Sequence, residues 1–201
     1  MKSAVIDVLI CSLALIALFP VLGACVNFIL SFILKSILGI IDKRGMAYMI
    51  FVNYLTIPGV IHHELSHALF AFLSGAKITE INIYRVSFDS LGSVSYSPRG
   101  PLLLRGLQCS LSSMAPVFTG LISEYFLIRL IINGRLPVLL LFLVAYLIIA
   151  IGIHMDMSSQ DILVYLKGCP CVFIILFIIL LLVKFYVFPD IWINCHFCQF
   201  I

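Results

Sequence analysis

Apolar residues fill this chain in long runs, interrupted by short polar breaks near residues 41–45, 75–104, 133–136 and 155–161. The runs at residues 4–40, 46–74, 105–132, 137–154 and 162–187 read as membrane spans, because roughly 20 apolar residues cross a bilayer as helix. The first run is too long for one straight crossing. Pro20 and Gly23 allow it to fold as a hairpin, and one long tilted helix is the other reading. Alternation of period two is confined to Lys77–Ser97. Ile81, Ile83 and Arg85 alternate there with Asn82 and Tyr84, and Val94 and Tyr96 with Ser93 and Ser95. Asp89-Ser90-Leu91-Gly92 is a turn signal between the two stretches, which predicts a β-hairpin. The expected fold is a single-domain, all-α polytopic membrane protein of five or six transmembrane helices, with a small hairpin at 77–97.

Composition changes this picture little. The chain is 63% hydrophobic and 10% charged, with a mean hydropathy of +1.23, so the lipid bilayer has to be the solvent for most of its surface. A net charge of +3 without a basic run implies no nucleic-acid partner. Lys2, the apolar run after it and Leu22-Gly23-Ala24-Cys25 mimic a processed secretory signal. Asp7 within that run, and the mostly apolar Val26–Leu34 after it, favour an uncleaved anchor. Cys11, Cys25 and Cys109 read as small apolar residues within spans. Cys195-His196-Phe197-Cys198 has metal or redox spacing but stands alone, with Cys169 and Cys171 across most of a span, so ordinary thiols are expected.

The chemistry lies in His62-His63-Glu64-Leu65-Ser66-His67, embedded in the apolar stretch Tyr48–Leu73. On a helix, His63 and His67 stack on one face about 6 Å apart along the axis and reach one metal ion. Glu64 is then placed to take a proton from metal-activated water. Five His and three Glu produce such a match by chance about 0.002 times in a chain of this composition. A pair of core histidines is the bland alternative, and it leaves a buried carboxylate without a partner. His62 points off the His63/His67 face and is expected to be packed or interfacial.

Two His need a third ligand for a catalytic zinc site. If spans 105–132 and 137–154 go out and back, residues 155–161 return to the face where Gly75 emerges, and an acidic side chain from that loop can reach down to the histidines. Asp161 is the first choice, Asp156 the second and His154 the third. Ser158-x-x-Asp161 before an apolar run also reads as a helix cap, which competes with the ligand role. Pro58 should bend the chain just ahead of His62 and open a route for water. Ser113-Met114-Ala115-Pro116 suits close packing against the metal helix, and Glu124 is given no role. The hairpin offers strand edges to an unwound substrate, or simply covers the site. Lys77, Arg85, Arg99 and Arg105 make this the most basic loop, which places the site mouth on the cytoplasmic side.

With these residues assembled, the chain resembles the small members of the site-2 protease class of intramembrane zinc metalloproteases. The likeness rests on His63-Glu64-Leu65-Ser66-His67, Ala68-Leu69-Phe70-Ala71, Gly75, Gly92-Ser93-Val94, Ala115-Pro116 and an acidic motif at a span end, over about residues 55–165. It implies Zn2+ held by His63 and His67, Glu64 as general base, and a membrane protein or peptide as substrate. Many members set the third ligand in Leu-Asp-Gly, whereas here Asp161 follows Ser158-Ser159-Gln160. A membrane zinc transporter and a non-catalytic metal-binding membrane protein are the competing readings. Glu64 argues against the latter, since a structural site needs no general base.

Overall fold

The computed structural model describes residues 2–83 and 92–187. The expected turn residues Asp89, Ser90 and Leu91, and the Cys195–Cys198 pair, lie outside them. Six α-helices and one two-stranded sheet follow one another: α1 Lys2–Ile41, α2 Met46–Ile50, α3 Ile57–Leu73, β1 Lys77–Asn82, β2 Ser93–Ser97, α4 Leu102–Asn133, α5 Val138–Ile153 and α6 Ser159–Leu182. Single π-helical turns, Phe51–Leu55 and Val183–Val187, extend α2 and α6. Three helices are long and apolar enough to cross a membrane, over Val5–Ile41, Leu102–Asn133 and Ser159–Phe185. Their large apolar side chains face outward, as lipid contact requires. The hairpin is antiparallel, with Lys77 opposite Ser97 and Asn82 opposite Ser93, and a bulge between Ile78 and Glu80.

The first apolar run is one helix of 40 residues, about 60 Å long. Its two suspected breakers serve other ends. Pro20 has no N–H, so the Ile16 carbonyl four residues back loses its helix partner, and the Tyr165 hydroxyl donates to it at 2.8 Å. Gly23 lets α1 press against the Met155 carbonyl and the Asp156 Cα, where any Cβ would be crowded. After α1, the N–H groups of Ala47 and Arg44 donate to the Asp42 carboxylate and hold it below its usual range. The chain then breaks at Thr56, ahead of Pro58, and α3 begins.

Spans 105–132 and 137–154 oppose each other as expected, but the chain does not reverse at residues 155–161. Along α4, Gly120 meets Met155, Ser110 meets Tyr165 and Gly106 meets Gly168. Along α1, Asn27 meets Ile153, Ile16 meets Tyr165 and Asp7 meets Lys184. Both partners descend in number as residues 152–184 ascend, so α5 and α6 run the same way. The break at 154–158 interrupts one path and is no surface turn. Tyr146 on Leu55 and Gly59 against Ala150 show that α3 runs parallel to that path, and His62 on Ser123 and Ser74 on Gln108 show that α4 opposes it.

Candidate metal centre

Thr56 and Pro58 start α3 one and a half turns before the motif, so His63 and His67 share a regular helical face. Their Nε2 atoms lie 3.0 Å apart. From the first turn of α6, Asp161 brings Oδ1 to 3.4 Å from His67 Nε2 and Oδ2 to 3.8 Å from His63 Nε2. One donor atom from each of the three residues lies within 4.8 Å of the others, and among the described residues this is the group of His, Cys, Asp and Glu able to share an ion. Asp161 arrives here because α6 begins beside the histidines and runs on in the direction of α3. It does not hang down from a loop at the membrane face.

The surrounding hydrogen bonds decide what the three groups lack. His63 Nδ1 is 2.7 Å from the His154 carbonyl, and His67 Nδ1 is 2.7 Å from the Ser112 carbonyl. A carbonyl only accepts, so both Nδ1 atoms carry the proton and both Nε2 atoms present lone pairs. With both imidazoles neutral, two lone pairs and a carboxylate converge, an arrangement that a shared cation, a metal ion or a proton, would satisfy. Tetrahedral zinc with ligands at 2.0–2.1 Å would separate them by about 3.3 Å, against 3.0 Å between the Nε2 atoms and 3.4 Å from His67 Nε2 to Asp161 Oδ1. The residues fit zinc, and they supply the Nδ1–H contacts that normally orient zinc-bound histidines.

Each orienting carbonyl is free because a helix is interrupted. Pro116 lacks the N–H that would occupy Ser112, four residues back in α4. His154 closes α5, where the last carbonyls have no intrahelical donor. Proline spacing in the sequence could have pointed to Ser112; no local signal marks His154 as a carbonyl donor to the site. The His154 side chain turns away, and its Nε2 donates to Thr56 Oγ1 at 2.8 Å, since that hydroxyl already donates to Val52.

The cap and the approach to the histidines, which the sequence set in competition, are compatible at Asp161. Ser158 accepts from Asp161 N at 3.1 Å and returns its own N–H to Asp161 Oδ2 at 2.9 Å, a complete capping box. Oδ1 remains turned to His67. Asp156, the second choice, lies outside the ligand group, on the cavity wall beside α1. His62 packs on Ser123 at 2.9 Å, away from the other two histidines. Glu124 lies near Gly152, with its Oε1 buried and without a hydrogen-bond partner among the described residues, and it is outside the group of three.

Glu64 is buried beside the ligands, and its carboxylate lies under the backbone of Gly92, the residue that opens β2. A Cβ there would stand 2.9 Å from Glu64 Oε1. A cavity of about 1340 Å³ opens above the three ligands and Glu64. Its walls are the α2 end with Asn53 and Tyr54, Gly92 with the β2 residues Ser93–Tyr96, Cys109 and Ser113 of α4, and α6 from Ser159 to Lys167. Burial pushes the Tyr96 phenol up from its ordinary pKa, beside the Ser112 and Ser113 hydroxyls. This arrangement can hold a metal with one side open, next to a carboxylate and a space of peptide size. No protein-family model, curated protein or solved structure matches the chain.

Proposed function

We propose that this protein is an intramembrane zinc metalloendopeptidase of the kind the sequence resembles, cutting membrane-embedded or membrane-proximal peptides. One observation carries the reading: His63, His67 and Asp161 converge their ligand atoms, with both Nδ1 atoms held by carbonyls, beside buried Glu64 and beneath an open cavity. Zinc bound there supplies a Lewis acid that activates water and polarises a carbonyl. Glu64 takes the proton of the attacking water and passes it to the leaving nitrogen. The Ser112 and His154 carbonyls keep both imidazoles in the ligating tautomer throughout. β2 lies along the cavity wall, where its free edge suits a substrate that has unwound from helix and needs backbone partners. Crossings of the bilayer by α1, by α2 with α3, by α4 and by the path of α5 and α6, with the basic residues Lys77, Arg99 and Arg105 on the cytoplasmic side, complete the proposal.

The test is zinc content and peptide cleavage by the detergent-purified protein. About one zinc per chain is expected, lost in His67→Ala and Asp161→Asn and kept in Asp156→Asn. Glu64→Gln should keep zinc and lose cleavage by at least about 100-fold. Zinc-free wild-type protein under non-chelating conditions would overturn the reading.

A further inference from the structure

The peptide cavity carries a charge pattern that proteolysis alone does not require. The residues of α6 on its wall are Ser159 and Gln160 at its start and then Asp161, Val164 and Lys167, which form a stripe at helical spacing. Asp161 is at the metal end of that stripe and Lys167 is six residues on, about 9 Å along the axis. β2 lines the same cavity from Gly92, over Glu64, to Tyr96, and Pro98 follows. Pro98 and Lys167 mark the same end. Arg99 N donates to Gln108, Gln108 donates to the Ser74 carbonyl, and Gly168 packs against Ser110 and Gly106. β2 and the α6 stripe are therefore two walls of one cleft that starts at the metal ligands.

Lys167 is the one lysine or arginine among the described residues lining this cleft, and it has no ion pair among them. Arg105 adds positive charge close by, since both cations act on Cys109. The carboxylates on the walls, Glu64, Asp156 and Asp161, all lie at the metal end. A chain lying extended in the cleft advances 3.2–3.4 Å per residue, so Lys167 stands about three residues from a bond held over the metal. Resting on the proteolytic reading, we infer that Lys167 recognises a carboxylate on the substrate about three residues from the scissile bond, and so selects acidic peptides. The carboxylate comes from an Asp or Glu side chain or from a free C-terminus. Lys167 is exposed, so the selectivity is modest, about fivefold.

The experiment uses the zinc-loaded full chain with apolar host peptides in which one Glu or Gln is scanned along the sequence, each with a free or an amidated C-terminus. Cut sites are read by mass spectrometry and binding by fluorescence anisotropy on the Glu64→Gln protein. Cleavage is expected to favour Glu about three residues from the cut by about fivefold. Lys167→Gln should abolish that preference, and Lys167→Glu should transfer it to Lys-bearing peptides. A preference that follows the free C-terminus and ignores Glu assigns the terminal carboxylate as the ligand. Cleavage with the same Glu-to-Gln ratio in wild type and Lys167→Gln overturns the inference and leaves proteolysis standing. Binding that favours Glu through Lys167 with no cleavage by wild type does the reverse. Absence of both binding and cleavage overturns both.

Discussion

His67 donates its Nδ1–H to the carbonyl of Ser112 at 2.7 Å, and that carbonyl is free because Pro116 cannot claim it. A missing backbone N–H in α4 thus sets the tautomer of a candidate ligand in α3. The same device recurs at Pro20, where the Ile16 carbonyl takes the Tyr165 hydroxyl. In an apolar surrounding each freed carbonyl needs a donor, so these contacts hold helix pairs in register as well as orienting side chains.

Pro116→Ala restores an N–H to α4, and Ser112 then has two donors competing for it. Zinc affinity is expected to fall about tenfold or more, while thermal stability holds or rises because a helix bond is regained. Competition titration against a chelator, together with thermal unfolding, reads both. Undiminished affinity would show that the carbonyl does not set the tautomer.

Ser158→Ala removes one partner of Asp161 from the capping box. Loss of the cap should cost about 1 kcal/mol of stability, and the looser carboxylate should weaken zinc several-fold. If stability drops and zinc affinity does not, the cap is independent of the metal.

Gly92→Ala places a methyl group against Glu64, whose flexible end yields before the strand does. Cleavage is expected to fall about 10- to 100-fold with zinc content unchanged. Loss of zinc in this variant would mean that the strand supports the ligands and not the base.

Protons compete with metal for both imidazoles, so zinc content should fall as the pH is lowered and recover on return to neutrality. Dialysis at stepped pH with metal analysis measures this. The Asp42 carboxylate responds in the same direction by another route. Its pKa is depressed in the folded chain, so the contribution of its loop is present above the unfolded pKa and lost as pH falls through the folded one.

What was legible from the chain by itself is what repeats locally. Apolar runs marked the long helices, period-two alternation marked the hairpin, and the four-residue spacing of His63 and His67 put both on one face, because helix and strand periods are properties of the backbone. The tertiary structure decided the rest. Whether Pro20 breaks α1 depended on a donor for Ile16, and Tyr165 lies on another helix. Whether the cap excludes Asp161 from the histidines depended on where each carboxylate oxygen points, and Oδ2 makes the cap while Oδ1 faces His67. Directions of α5 and α6 escaped a count of apolar runs, because such a count assumes that every polar break reverses the chain. Here the break at 154–158 lies between Gly23 of α1 and the histidines of α3, and the His154 carbonyl has its partner inside the protein, so the path continues instead of turning back.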